Sequence, residues 1–540
     1  MELNLSGIAD VEAYAAAGIQ LPSFNVAAMQ EEGKAKPRWV HLGPGNIFRV
    51  FPARVAHDLL SDGEHWPITA VVAMDPAELD RQLAKHDLMT LSVILNPDGT
   101  RDTKVIASLS EGLAWQREAD FARLCEIIAD PQVTMVTMTI TEKGYAIHDS
   151  QGALLPDVLT DMATDPLSFH KNTMANLAGL LVRRFNAGAA PINVISFDNF
   201  SHNGDKLSAS ILEVLQGWLA AGLIEQEVLD WVKGEQVAFP ITVIDKITPR
   251  PNEELSEELA ALGFTDMQLE LLGRTPLAGF VNAEPTEYLI IEDVLVGEVP
   301  DLTKYGVILT SREVCDDFEH MKVTTCLNPL HTALAVAGVL LDFPTIDSEM
   351  RDPALRAFVE RLGWQEGLPV VVDPGIVTPE DFLREVLEVR FPNPFLPDDP
   401  RRIAMDTSQK LPIRFGETIK KYLEQEKDLA ELKALPLVIA LWLRYLLAVD
   451  DSGKDFVPSS DPLLEELQAH LAGIKLGFSA EEGHDVDKEI HDAVAPILSN
   501  PSIFAVNLYE TPLAEYVEKL FKKLIVGTGA VRATLEEVVL

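Results

Sequence analysis

The chain has 540 residues, with 44 Lys and Arg against 84 Asp and Glu, a formal net charge of −40. Such a balance excludes nucleic acid and anionic membrane as partners, because both carry the same sign. A hydrophobic share of 47% fills a large core and excludes a disordered chain, and the length accommodates two large domains or three ordinary ones.

No apolar run reaches the ~18 residues of a bilayer span. The start, Met1-Glu2-Leu3-Asn4-Leu5, lacks the basic region of a signal peptide. Cys125, Cys315 and Cys326 are odd in number and show no metal-ligand spacing. A reduced, cytoplasmic setting fits them best. An anionic substrate would need a local basic pocket in so acidic a chain.

The first organised stretch is Arg38-Trp39-Val40-His41-Leu42-Gly43-Pro44-Gly45-Asn46-Ile47-Phe48-Arg49, followed by helical apolar spacing over Val50 to Leu60. This is strand, Gly-x-Gly turn, helix. Gly43 permits a tight turn, and Gly45 lets a pyrophosphate approach the backbone. Asn46 follows the second glycine, and Phe48 stands where the usual motif has its third. A second strand, Ile68 to Asp75, ends in an acid, somewhat beyond the ~20 residues of the usual motif. Asp75 would accept from a ribose diol and repel a 2′-phosphate, favouring NAD over NADP. The turn and the acid are equally compatible with an ordinary strand-to-helix connection.

Val133 to Ile140 reads as a third strand, ending at Thr141-Glu142-Lys143-Gly144-Tyr145. Ile192 to Ser196 reads as a fourth. It runs into Asp198-Asn199-Phe200-Ser201-His202-Asn203-Gly204, a run dense in hydrogen-bonding groups. Ile241 to Asp245 reads as a fifth, before Lys246-Ile247-Thr248-Pro249. Ligands of open α/β sheets bind just beyond such strand ends. Strands alternating with helical stretches predict a doubly wound parallel sheet. Glu142 and Asp245 join Gly43, Gly45, Asn46, Phe48 and Asp75 as candidate cofactor residues.

From about residue 285 the pattern changes. One strand-like stretch, Tyr288 to Val294, precedes long helical periodicity. Domains of 1–284 and 285–540 are expected, the second mainly helical. Glu319-His320-Met321-Lys322 leads to Asn328 and His331 and then to an apolar run. In a helix, Glu319 and Lys322 share a face, as do Asn328 and His331. A desolvated lysine gives up its proton more easily, and asparagine and histidine can hold an oxygen whose charge changes. The same residues also suit a solvated helix end and a cap.

Helices are expected over Leu330 to Leu341, Pro379 to Val389, Thr418 to Leu435 and Leu437 to Leu447. Arg402 and Lys410, eight apart, either converge on a substrate or are solvated cations. His484, Asp485, Asp487 and His491 read as metal ligands or, with Glu481-Glu482-Gly483, as an acidic surface loop; the loop is favoured and no metal is expected.

Taken in order, these motifs resemble the mannitol dehydrogenase family of polyol-specific long-chain dehydrogenases. They resemble in particular its fructuronate reductase (D-mannonate oxidoreductase) branch. The likeness runs from His41-Leu42-Gly43-Pro44-Gly45 through Thr141 to Tyr145, Asp198-Asn199 to Gly204, Asp245 to Pro249, Lys322 with Asn328 and His331, Arg402 to Lys410, and Trp442-Leu443-Arg444-Tyr445-Leu446. It implies a Rossmann-type NAD domain followed by a mainly helical domain, with a cleft between them. It implies metal-free hydride transfer with Lys322 as general acid/base. Asn199 and Asn328 would hold the reacting oxygen, His331 a neighbouring hydroxyl, and Glu319 a proton path. Arg402, Lys410 and Asn203 would contact substrate.

The implied reaction interconverts D-mannonate and D-fructuronate. The alternatives are a neutral polyol such as mannitol, or tagaturonate. A non-catalytic NAD-binding protein on the same fold would bind NADH without turnover. A monomer or homodimer is expected. The family usually spaces lysine and asparagine five apart; here Lys322 and Asn328 are six apart, and Pro329 comes next.

Overall fold

The computed structural model describes residues 1–478 and 485–539. The chain forms two compact units, Met1–Cys315 and Asp316–Leu540.

The first unit is built on six parallel strands: β1 (Trp39–Leu42), β2 (Ile68–Val72), β3 (Leu109–Ala114), β4 (Met135–Met138), β5 (Ile192–Ser196) and β6 (Val237–Ala238). Their order is β3-β2-β1-β4-β5-β6. This is the order of two mononucleotide-binding halves, with its switch point between β1 and β4. Residues alternate across the strand: Val40 and Leu42 enter one core, Trp39 the other. Helices cover both faces: α1 (Asn46–Val50), α2 (Pro52–Ser61), α3 (Glu118–Ala129), α4 (Thr173–Asn186) and α5 (Asn203–Ala220). The helix expected over 50–60 is interrupted at Phe51, because Pro52 has no N–H to continue the first segment.

The structure corrects three expectations in this unit. The stretch 241–245 forms β7 (Thr242–Asp245), but not in the parallel sheet. It pairs antiparallel with β8 (Tyr288–Glu292), which pairs parallel with β9 (Val307–Thr310). Pro240, without a donor, separates it from β6. The units therefore divide after Cys315 rather than after 284, since β8 and β9 are bonded to β7. The sequence reading also missed β3 and a four-stranded sheet made by Ile19–Gln20, Arg101–Ile106, Thr90–Leu95 and Phe280–Ala283.

The second unit is helical. Its central element is continuous from Arg312 to Leu340: α6 (Arg312–Met321), a π-turn over Lys322–Cys326, and α7 (Asn328–Leu340). By length and composition this 29-residue helix would cross a membrane, but 83% of its apolar window is buried within the protein. That marks a core helix, and corrects the reading that no apolar run is long enough.

α8 (Ala434–Tyr445) is buried along its whole length. Both ends are held by buried ions whose signs complement the helix dipole. The Glu366 carboxylate accepts from the N–H groups of Lys433, Ala434 and Leu435 at 2.8, 2.7 and 2.8 Å. Arg444 donates to the carbonyls of Val449, Asp450 and Leu524. The helix starts three residues before the expected Leu437, because Pro436 falls in the first turn, where no N–H is required. The helix expected over 418–435 ends at Glu424, and Glu426 turns the chain with φ +53°.

Glu366→Ala should destabilise the second unit by roughly 3–5 kcal/mol, because it strands three buried donors and the Arg361 guanidinium. Urea denaturation measures this, and a midpoint unchanged from the parent would show that α8 does not depend on the cap.

Candidate functional site

In the first unit the candidate residues gather where β1, β2, β4 and β5 end. Gly43 has φ +78°, and a Cβ there would lie 2.4 Å from the Thr139 carbonyl oxygen. The turn therefore demands glycine. Around Gly45 nothing lies nearer than 3.9 Å to such a Cβ, so its backbone is open. A tight turn followed by bare main chain fits a pyrophosphate, and Asp75, exposed beyond β2, fits a ribose.

Phe48 is fully buried and stacks on His41, with ring centroids 3.6 Å apart. Its side chain fills the space that a third glycine would leave, so it supports the turn from below and does not face a ligand. Burial pushes His41 down to about 3, leaving it neutral. Asn46 accepts from Arg49 at 2.9 Å, and Arg49 also donates to the Ala278 carbonyl at 3.0 Å. Burial lowers Arg49 to about 9, against the pull of Glu78, so it keeps its charge beneath the turn. Burial and then Asp75 raise the Glu78 carboxyl.

At the end of β4, Thr141 has φ +64° and ψ +156°, a conformation that costs about 1–3 kcal/mol for a side-chain-bearing residue. Asp198 holds it there. Its carboxylate accepts from the Thr141 and Ile140 N–H groups, both at 2.9 Å, and from the Tyr145 hydroxyl at 2.6 Å. Burial pushes the Asp198 carboxyl up against these donors. Asp198 thus ties the end of β5 to the loop carrying Glu142, which is exposed. Asn199, the next residue, is also exposed.

Two candidates of this unit change role. Asn203 is fully buried. Its amide donates to the Asp198 and Thr242 carbonyls at 2.9 and 3.1 Å and accepts from the Thr242 N–H at 2.9 Å. With both ends engaged inside the fold, it positions the loop rather than a substrate. Asp245 lies in β7, buried and in register with Tyr288, so it is not at a parallel-sheet strand end.

In the second unit, Lys322 is 3% exposed and opens the π-turn, where the Leu327 N–H donates to its carbonyl at 3.1 Å. One residue more in an α-helix swings a side chain round by about 100°. A π-turn absorbs that residue, so Lys322 and Asn328, six apart, keep the facing of a five-residue step. Pro329 sits in the first turn of α7. Glu319, one turn before Lys322, is half-buried, as is Asn328.

His331 meets the Asp398 carboxylate at 3.0 Å and lies against Phe391. Burial pushes the imidazole down, against Asp398. Arg402 pairs with Asp398 too, and is 67% exposed. Lys410 donates to the carbonyls of Ile403 and Met405. Burial, then Arg414, push it down to about 8. Arg414 donates to the Thr332 hydroxyl on α7. The structure therefore brings three cations, Arg402, Lys410 and Arg414, into one group with His331 and Asp398. Asp398 and Arg414 were missed in the sequence; Arg414, four residues after Lys410, could have been found by helical spacing.

Of the acidic C-terminal cluster, His484 and Glu481-Glu482-Gly483 lie outside the described residues. Asp485 caps the helix Val486–Leu498, and His491 bonds Glu518 at 2.8 Å.

Residues 37–298 match the mannitol dehydrogenase Rossmann domain, and residues 315–512 match the mannitol dehydrogenase C-terminal domain. The chain belongs to the mannitol dehydrogenase family. It is an oxidoreductase similar to the D-mannonate oxidoreductase of Thermotoga maritima, at 45% identity over 100% of this chain and 99% of that one. The mannitol 2-dehydrogenase of Cereibacter sphaeroides is 32% identical over 80% of this chain and 85% of its own. The structure of Pseudomonas fluorescens mannitol 2-dehydrogenase, a ternary complex with NAD and D-mannitol, matches with a TM-score of 0.70 at 26% identity, covering 99% of each chain.

Behind α7 of this mannitol dehydrogenase homologue lies a buried acid. Glu349 is 0% exposed, and a Cβ on Gly338 would lie 1.8 Å from its Oε1. Among the described residues, neither carboxyl oxygen has a hydrogen-bond partner. Burial, Asp398 and Asp347 raise its pKa well above the usual 4.5. The folded chain then holds a proton that the unfolded chain releases above about pH 4.5. Stability from this group therefore declines as pH rises from there until the folded carboxyl itself ionises. Glu349→Gln should flatten that decline. Thermal midpoints of both proteins between pH 5 and about 8 check it, and parallel curves would show that Glu349 is not the proton carrier.

Proposed function

We propose that this protein is an NAD-dependent, metal-independent oxidoreductase that interconverts D-mannonate and D-fructuronate. The observation that carries the reading is the π-turn, which brings a buried Lys322 into the register of Asn328 and His331. The likeness to a D-mannonate oxidoreductase supports the choice of substrate, as does the cationic group around Asp398.

Bound NAD supplies or accepts the hydride. Gly43 and Gly45 form the turn that receives its pyrophosphate, with Asn46 held in place by Arg49. Asp75 takes the ribose diol. The carboxyls of Asp75 and Glu78 on the same side disfavour a 2′-phosphate. Glu142 lines the same strand ends.

Lys322 takes the hydroxyl proton in oxidation and returns it in reduction. It lies 3% exposed, where water is a poor competitor. The amides of Asn199 and Asn328 stabilise the alkoxide, each worth roughly 3–4 kcal/mol by the measure of oxyanion donors. His331, oriented by Asp398, holds a neighbouring hydroxyl. Glu319, one turn from Lys322, serves the proton path. Arg402 and Lys410 stand on the substrate side. The three cysteines are buried and form no disulfide, in keeping with a reducing cytoplasm.

A neutral polyol is the second reading. Arg402 is already paired with Asp398 and Lys410 with two carbonyls, and the Cereibacter sphaeroides relative is named for mannitol. Tagaturonate is a third.

NADH oxidation with D-fructuronate, D-tagaturonate and D-fructose in parallel separates these readings: the proposal expects fructuronate to be strongly preferred, and a preference for fructose overturns it. Lys322→Ala should lower turnover by roughly 10²–10⁴-fold while NADH affinity stays near that of the parent. Near-normal turnover would remove Lys322 from the chemistry.

A further inference from the structure

A substrate carboxylate needs a cation whose charge is not already spent. Of the three cations in the group around Asp398, two are engaged. Arg402 is paired with Asp398 and stands 67% exposed. Lys410 points its ammonium at the Ile403 and Met405 carbonyls, which end the short helix Pro400–Ile403.

Arg414 differs. It is partly buried, and among the described residues no acid acts on it, whereas Asp406 and Asp461 act on Lys410. Nη1 donates to the Thr332 hydroxyl and reaches the Asn328 carbonyl at 3.4 Å. Thr332 in turn donates to that same carbonyl at 3.0 Å. Among the described residues no carboxylate pairs with Arg414, and burial alone lowers its pKa, to about 10. An uncompensated guanidinium in such surroundings is costly unless an anion joins it. Only Nη1 is used for anchoring. Within the described residues the Nε and Nη2 edge makes no hydrogen bond, and the side chain is only partly buried. That edge is the fork that accepts a carboxylate through two parallel hydrogen bonds. Its anchor fixes it on α7 within one turn of Asn328 and His331, the residues assigned to the substrate's hydroxyl oxygens.

We propose that Arg414 reads the carboxylate of the substrate and so separates sugar acids from neutral polyols. This rests on the sugar-acid reading above. Arg402 and Lys410 then set the field around the carboxylate rather than binding it as its main partner. Arg414 is a specificity residue: it touches the end of the substrate remote from the hydride.

The test compares the parent enzyme with Arg414→Gln and Arg414→Lys, using NADH with D-fructuronate and with D-fructose. Arg414→Gln should raise KM for fructuronate roughly 10²-fold with kcat changed far less. Its KM for fructose and its NADH affinity should stay near the parent values, so that the preference for the acid collapses. Arg414→Lys keeps the charge and loses the fork, and should fall between; if Arg414→Gln does not fold, this intermediate KM carries the test. Equal losses on both substrates, or an undiminished preference for fructuronate, overturn the proposal. A parent enzyme that turns over fructose but no uronate overturns the sugar-acid reading itself, and is seen before any variant is made.

Discussion

One widened helical turn sets the candidate catalytic face of the second unit. Between Lys322 and Leu327 the chain makes an i to i+5 hydrogen bond inside a helix that otherwise runs unbroken from Arg312 to Leu340. A π-turn costs hydrogen-bond geometry and is found mostly where function keeps it. Here it carries an additional residue without rotating the helical turns beyond it. Upstream, Lys322 and Glu319 share a face; downstream, Asn328, His331 and Thr332 keep theirs. The apolar remainder of α7 is buried in full, which fixes the rotation of the helix about its axis. The position of the lysine is thus decided by packing some turns away from it.

Buried ionisable groups follow one rule, and two exceptions to it lie beside the candidate site. Glu366 takes three backbone N–H groups, and Arg444 takes three carbonyls. Arg184 is spent on the carbonyls of Ala190, Ile128 and Pro191, among others. In each case the main chain neutralises a side chain that water cannot reach, and the ion fixes a helix end or a loop. Arg414 and Glu349 break the rule. Among the described residues, one engages a single nitrogen, with the Thr332 hydroxyl and the Asn328 carbonyl, and the other has no hydrogen-bond partner for either oxygen. Both lie against α7, where the candidate catalytic residues are.

The sequence made most of the first unit legible. Ile192 to Ser196 is a strand with the bounds expected, because it is apolar on both faces and ends in a polar run. The Gly43 turn was legible because only glycine meets its φ. β3 was hidden, since Glu111 and Gly112 interrupt its apolar run. β7 looked like another parallel strand because β-propensity does not say which sheet a strand joins. Asn203 was misjudged for a related reason: an amide at a strand end is equally suited to a ligand and to the backbone, and here the backbone of Thr242 claims it. The extra residue between Lys322 and Asn328 was visible as a count, but its resolution is a matter of helix geometry. Arg414 carried no motif, and its isolation from carboxylates exists only in three dimensions.

By sign alone, the net charge of −40 opposes the proposed cofactor and the proposed sugar-acid substrate, both anionic. Distance decides otherwise. Charges beyond about 8 Å are screened at physiological salt, so most of the acidic excess is not felt at either site. A charge in contact at 4 Å is worth about 4 kcal/mol near a protein surface. At the candidate nucleotide turn Arg49 bonds Asn46, the residue after Gly45, and around Gly45 the main chain is open. In the second unit, Asp398 is shared between His331 and Arg402, Lys410 is engaged by two carbonyls and lies in the field of Asp406 and Asp461, and no acid acts on Arg414 among the described residues. Most of the acidic excess is therefore too far away to act at either candidate site, where the few cations close to the Gly43 turn and to α7 set the local potential.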